Sequence, residues 1–386
     1  MGYNCKIIHS YFCGQIESEV IDHSAYKEPS ITGRYITQEM LEKTCFSKLP
    51  VPLIAFGNSV DGKTLYAFKI GSGHRKVLMW SQMHGNESTT TKAVWDMVNY
   101  LQSDDSLAEH ILENCTLMIV PMLNPDGAKA YTRVNKNGVD LNRDAKMLTQ
   151  PESKALRQLF EEFQPHYCFN LHDQRTLFSA GATDRPATVS FLSPASNEER
   201  DVTPTRETAM KIIVAMDTLL QRLIPGQVGR YDDGFNDNCV GDAFQMTGTP
   251  TILFEAGHFP GDYEREKTRE YIFLALVEAL RTIALDKIAD FSSEDYFKIP
   301  ENDKLFFDVL VKNPSVLNPE LDEQVIGIRY KEVLEGEKII FEPEIVETGP
   351  LEGFYGHKNL ECVDSKDFAS GISDRIIVNL LLQTKK

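Results

Sequence analysis

Apolar runs of strand length alternate with stripes of helical period along most of this chain. LIAFGNS from Leu53, a turn at Asp61-Gly62-Lys63 and TLYAFKIGSG from Thr64 predict a β-hairpin, because Asp-Gly supplies the positive φ of a tight turn. KVLMWSQ from Lys76 predicts a third strand. Residues 88–101 predict a helix that opens with small hydroxyl residues and carries Ala93, Met97, Val98 and Leu101 on one stripe, and TLMIVPML from Thr116 is a fully apolar strand. A Pro-Glu start predicts a helix over 151–163. HYCFNLHD from His166 reads as a short strand on which Cys168, Asn170 and His172 share a face. A strongly periodic helix from Thr203, a strand TPTILFEAG over 249–257 and an amphipathic helix over 263–285 follow. Strands alternating with helices in this way predict an α/β fold, with a mixed, twisted central sheet covered by helices on both faces.

Three stretches break the rhythm. Residues 121–144 carry few strand or helix signals and are rich in Asn, Asp and Gly, the composition of a long functional loop. A second such loop lies between Gly226 and Gly241 and contains Tyr231 and Phe235. After Asp290 the strand-like GIRYKEV, GEKIIFEPEIVE and DRIIVNLLLQ are separated by turn signals at Glu335-Gly336, Gly349-Pro350 and Gly371, which predicts a small β-rich C-terminal domain. The expected organisation is an N-terminal segment over 1–51 packing on the main domain, a catalytic domain over 52–289 and the β-rich part over 290–386.

Composition narrows the partners. Lys and Arg total 40 against 57 Asp and Glu, a net charge of −17 in 386 residues, which disfavours nucleic acid and an anionic membrane surface and leaves small or polypeptide molecules. No run reaches membrane-spanning length. The first residues show no apolar core followed by a small-residue cleavage site, and the seven cysteines (5, 13, 45, 115, 168, 239 and 362) have no CxxC spacing. Both features lead us to expect reduced thiols in a cytoplasmic protein.

Candidate chemistry gathers at predicted strand ends: His84 with Glu87, the 124–144 loop, His172 and Glu255. Two imidazoles and one carboxylate suit one Zn²⁺ with a corner left open for water, the arrangement of a hydrolytic site. Glu255 is then the candidate base, taking a proton from the water and handing it to a leaving amine. Arg133 and Arg143, two guanidinium groups in an acidic protein, point to an anionic group on the substrate or to charge developing on a carbonyl oxygen. Asp173 is a candidate to orient a metal-binding imidazole, while His166 and His258 are expected to be surface or supporting groups.

HGNE over 84–87, NPDG over 124–127 and R-x-N-x-N-G-V-D-L-N-R from Arg133 to Arg143 stand together and in order. In these strings the chain resembles the zinc metallocarboxypeptidases, the family of carboxypeptidases A, B, D and E, over roughly residues 52–285. The resemblance implies zinc ligands His84, Glu87 and His172, polarisation of the scissile carbonyl by Arg133, and capture of the substrate's terminal carboxylate by Asn142 and Arg143. It implies Glu255 as general base and proton shuttle, and release of a C-terminal residue by attack of metal-bound water. The family's capping tyrosine falls in the loop that holds Tyr231 and Phe235, with Tyr231 the better match. The segment from Arg143 to His172 is shorter than usual for the family, so the cleft walls are expected to differ. HGNE, DLNR and NLHD also resemble the aspartoacylase and succinylglutamate desuccinylase group, which carries an extra β-rich C-terminal region and implies an N-acyl amino acid as substrate instead. A tail folded over the cleft favours that second reading, and an open funnel favours the first.

Overall fold

The computed structural model describes residues 21–321, 325–362 and 372–383. Helix α1 (Gln38–Thr44) precedes the hairpin of β1 (Leu53–Asn58) and β2 (Thr64–Ile70), and β3 (Arg75–Ser81) follows. Next come α2 (Thr89–Leu101), α3 (Ser106–Asn114), β4 (Cys115–Val120), α4 (Pro125–Ala130), α5 (Pro151–Phe163) and β5 (Tyr167–Asp173). The chain continues through β6 (Ser179–Ala180), β7 (Val189–Leu192), α6 (Pro204–Leu220), β8 (Val228–Arg230), α7 (Val240–Met246), β9 (Thr251–Ala256) and α8 (Glu266–Ala284). After α9 (Ser293–Tyr296) lie β10 (Asn302–Asp303), β11 (Phe306–Lys312), β12 (Val325–Glu335), β13 (Lys338–Gly349), β14 (Tyr355–Glu361) and α10 (Ile372–Gln383). None of the described helices is long and apolar enough to cross a membrane.

Among the described residues eight strands form the central sheet, in the order β1-β2-β4-β3-β5-β9-β7-β8. The four middle strands β4, β3, β5 and β9 run parallel, and β2 and β7 flank them antiparallel. Middle strands of such a sheet are covered on both faces, which is why residues 77–80 (VLMW) and 252–254 (ILF) are unbroken apolar runs. On one face α2, α6 and α8 bury Trp95, Ile213 and Phe273. On the other, α5 and α7 bury Trp80, Phe160 and Phe244, with the two phenylalanine rings stacked 4.0 Å apart. The Asp61-Gly62 turn joins β1 and β2 as the sequence predicts, with Gly62 at φ 78°.

Residues 21–50 are pinned to α2 and α8 by buried polar contacts; residues 1–20 of the expected N-terminal segment lie outside the described ones. Lys92 Nζ, wholly buried, reaches Glu266 Oε1 at 2.6 Å and the carbonyls of Gly33 and Glu264. Burial opposes ionisation of Glu266, but Lys92, Lys27 and Arg269 outweigh it and hold its carboxyl at about 2, below the ordinary 4.5. A carboxyl depressed in the folded state contributes stability that is present above 4.5 and lost as pH falls toward 2. Burial also depresses Lys92, to about 8, yet in that acid window the amine is protonated both folded and unfolded and adds no pH dependence. Thermal melts between pH 5 and pH 2 should therefore lose stability less steeply in Glu266→Gln than in the parent chain.

A second sheet lies after the central one, in the order β13-β12-β11-β14, with β11 and β14 parallel. GIRYKEV and GEKIIFEPEIVE form its β12–β13 hairpin, turning at Gly336 with φ 63°. DRIIVNLLLQ, by contrast, is the helix α10 and not a strand. Ile377 and Leu381, four apart, are fully buried against this sheet while Ile376 and Leu382 are exposed, so a helical stripe lies within a run whose β-branched residues read locally as strand.

Candidate active site

Three adjacent parallel strands, β3, β5 and β9, aim their carboxyl ends at one place. His172 and Glu255 are direct partners in the β5–β9 register, so the sheet itself sets them side by side. His84 lies three residues beyond β3, after Gln82, which takes a left-handed conformation (φ 49°) and is held by its side chain to the carbonyls of Ile36 and Gly85. The HGNE turn then packs backbone to backbone on α4: a Cβ on Gly85 would stand 2.0 Å from the Gly127 carbonyl carbon. Asn124 caps α4 by accepting from Gly127 N and donates to Met83 O, tying the NPDG string to the HGNE string. Gly85→Ala should thus cost about 1–3 kcal/mol of stability through overpacking and displace His84 and Glu87 together. Denaturant titration and metal content of the purified variant measure the two effects.

His84 Nδ1, Glu87 and His172 converge. His84 Nδ1 lies 2.8 Å from Glu87 Oε1, His172 Nδ1 lies 2.9 Å from Glu87 Oε2, and the two Nδ1 atoms are 3.1 Å apart. Their donor atoms all lie within 4.8 Å of one another, and among the described residues this is the only such His, Cys, Asp and Glu group. Ligands about 2.0–2.1 Å from a tetrahedral zinc stand roughly 3.3 Å apart, so this donor set fits that ion with small adjustments. Burial would depress His84, but Glu87 and Asp140 outweigh it and raise the imidazole above its usual value. Burial dominates at His172 and lowers it. Burial opposes ionisation of Glu87 as well, yet the two imidazoles hold it well below the usual carboxylate range.

The remaining sequence candidates surround this cluster in a cavity of about 720 Å³. Arg133 bridges Glu87 Oε1 (Nη1, 3.2 Å) and Asp140 Oδ2 (Nε, 3.0 Å). Asn142 is fixed by its Oδ1, which accepts from Val240 N, and Arg143 by Asn238, whose side-chain amide donates to the Arg143 carbonyl. Tyr231 lines the cavity, held through its backbone to Phe191; Phe235 is not among the lining residues. Burial, with Glu255 and Glu87 nearby, raises the Tyr231 hydroxyl and keeps it protonated. Burial, with Glu87 and Asp173 adding to it, likewise pushes the Glu255 carboxyl well above its usual value. Glu255 lines the cavity, and its Oε2 is buried without a hydrogen-bond partner among the described residues.

Several readings change. Asp140, not Asp173, orients a ligand imidazole: Asp140 Oδ1 lies 2.9 Å from His84 Nε2. Asp173 instead accepts from Thr89 N and Thr90 N and caps the start of α2. His166 is a surface group as expected, accepting from Lys76 N. His258 is buried against Tyr263 and His357. The 121–144 loop contains a helix, α4, whose Pro-Asp-Gly start reads as a turn, and the DLNR string forms a single 3₁₀ turn over Leu141–Arg143. Sequence reasoning missed Arg34, Tyr131, Tyr330 and Glu332 as cavity residues, because nothing local says that the second sheet approaches the first.

A family model described as zinc carboxypeptidase, Peptidase M14, matches residues 49–238. Carboxypeptidase 2 of Trichophyton rubrum is 29% identical over 114 residues, 29% of this chain and 20% of that protein. Carboxypeptidase SOL1 of Arabidopsis thaliana is 32% identical over 160 residues, 34% of this chain and 33% of that protein. The chain thus spans between a fifth and a third of the length of these relatives. A solved structure from Burkholderia mallei, named as a carboxypeptidase, has the same fold, with a TM-score of 0.52 at 18% identity over 66% of this chain and 69% of that one. Glu255 lies beyond the residues that the family model matches, but the β5–β9 register puts it beside the matched His172. Residues 49–238 are a zinc carboxypeptidase domain of the Peptidase M14 family.

Proposed function

We propose that this site hydrolyses the last peptide bond of a peptide and releases its C-terminal residue. The observation that carries the reading is the convergence of His84, Glu87 and His172 with Glu255, which has a free buried oxygen, and with Arg133, Asn142 and Arg143, all in one cavity. Zinc held by His84, Glu87 and His172 supplies a Lewis acid that polarises a carbonyl and acidifies a water. Asn142 and the Arg143 guanidinium take the substrate's carboxylate, for which a planar fork is the matching shape. Arg133, between Glu87 and Asp140, stands where charge develops on the scissile carbonyl oxygen. Glu255 accepts a proton from the attacking water and passes it to the departing amine nitrogen. Its raised pKa belongs to the chain alone, and the positive charge of a bound ion acts in the opposite direction. Tyr231, kept protonated, covers the bound residue and donates from its hydroxyl.

One observation favours a second reading, hydrolysis of an N-acyl amino acid: Tyr330, Glu332, Phe341 and Val346 of the second sheet also line the cavity. A panel of N-blocked dipeptides beside N-acetyl and N-succinyl amino acids separates the two. Free amino acid from the dipeptides alone is the expected result, and release from the acyl amino acids alone replaces the peptidase reading by the other.

A further inference from the structure

The β12–β13 hairpin is fastened to the catalytic body on one side of the cavity. Glu332 on β12 receives Arg34 Nη2 at 2.9 Å and the Tyr131 hydroxyl at 2.5 Å. Tyr263, eight residues beyond Glu255, donates from its hydroxyl to Asp308 on β11 at 2.9 Å, and the other Asp308 oxygen accepts from Tyr330 N. The Tyr263 ring meets Tyr330 and Phe341 edge-on at 5.2 and 5.3 Å. The segment just after His172 is tied in as well: Phe306 N donates to Leu177 O, and His357 Nε2 lies 2.7 Å from Thr176 O. Five polar contacts from β11, β12 and β14, with two ring contacts from β12 and β13, make this a fixed wall.

Its position relative to the reacting atoms follows from the chain. Tyr131 lies two residues before Arg133, which touches the ligand Glu87, and Arg34 offers its carbonyl to Ser88 Oγ, one residue after Glu87. Asn142 and Arg143 follow Asp140, which accepts from both of their backbone amides, and on their other side are held by Val240 and Asn238, away from the hairpin's anchors. The hairpin is thus anchored next to Arg133 and Glu87, and Tyr330, Glu332 and Phe341 share the cavity with them. An extended residue covers about 3.3–3.6 Å, and a cavity of this volume, about 720 Å³, lies in the range that small ligands fill.

We propose that the β12–β13 hairpin closes the cleft on the amino-terminal side of the scissile bond and confines this site to peptides of about two or three residues. This inference rests on the carboxypeptidase reading above. Longer chains must displace the wall, so the enzyme trims short peptides supplied by a preceding endopeptidase or peptidase and does not shorten whole proteins.

The test is a ladder of peptides from two to eight residues that share their last two residues, with kcat/KM measured for each on the zinc-loaded full chain. A fall of about tenfold or more between three and six residues is expected, equivalent to about 1.4 kcal/mol of lost transition-state binding. Calorimetry with Glu255→Gln gives a readout free of turnover: a tripeptide binds and an octapeptide with the same end does not. The Tyr330→Ala/Phe341→Ala double variant should raise the ratio of long-peptide to short-peptide kcat/KM; if it does not fold, the ladder on the parent chain decides alone. Equal kcat/KM across the ladder overturns the wall and leaves the carboxypeptidase reading standing. No turnover of any peptide overturns the reading itself.

Discussion

Glu255→Gln should lower kcat for release of a C-terminal residue by roughly 10²–10⁴-fold while the protein keeps its metal and its fold. The amide matches the carboxyl in size, so the packing around residue 255 at the end of β9 is unchanged. What disappears is the ability to take a proton. Metal content should not change, because the donor atoms that converge belong to His84, Glu87 and His172. Stability should hold or rise: burial and the negative charges of Glu87 and Asp173 work against ionised Glu255, and its Oε2 has no hydrogen-bond partner among the described residues to lose. Steady-state kinetics, metal analysis and a thermal melt on the same preparation read all three effects. Loss of metal together with activity would make Glu255 a ligand, and undiminished kcat would remove it from the chemistry.

The site was legible in the sequence because its parts sit at the ends of the most regular strands. Apolar runs that stop abruptly at His84, His172 and Glu255 mark the buried middle of a parallel sheet and the point where it opens to solvent. Neighbouring register does the rest, bringing residues 172 and 255 together without any local signal. Short elements were harder. VSFL over 189–192 is too brief to stand out from loop, and α4 hides in Asn-Pro-Asp-Gly because a string that reads as a turn here supplies the Asn124 cap and the first turn of the helix. The partnership of Asp140 with His84 spans 56 residues and depends on how the 131–144 segment folds back, which periodicity does not encode. The same holds for the second sheet: its β12–β13 hairpin is plain in the sequence, but its place against the cavity is set by Glu332, Asp308 and His357 meeting residues more than 40 positions away. The run over 372–383 misled for a different reason, since Ile and Val favour strands in isolation and the buried pair Ile377 and Leu381 decides for a helix only once the sheet is there.

Asp96→Ala should cost about 3–5 kcal/mol of folding stability, the loss expected when one member of a buried ion pair is removed and the other stays buried. Asp96 on α2 and Arg269 on α8 are both wholly inaccessible and meet through two 2.6 Å contacts. The same carboxylate accepts from Glu28 N at 2.7 Å and lies 2.7 Å from His23 Nε2, while the guanidinium donates to the carbonyls of Glu28 and Ile31. The truncation thus leaves an imidazole and a backbone amide without their acceptor, and leaves the buried guanidinium with Glu266 Oε2, 3.1 Å from Nη1, as its remaining carboxylate contact. It also loosens residues 23–36, which run from this pair to the site: the Ile36 carbonyl accepts from Gln82 and the Arg34 carbonyl from Ser88, on either side of His84 and Glu87. Metal occupancy should therefore fall with stability. The Asp96→Ala/Arg269→Met double variant removes the stranded charge and should recover part of the loss, because apolar replacement of a whole buried pair is far milder than halving it. Urea midpoints of the parent, the two single variants and the double variant close the cycle. Equal midpoints for Asp96→Ala and the double variant would show that the stranded guanidinium is not what destabilises the single variant, and that the cost comes from the unpaired Glu28 amide and His23 instead.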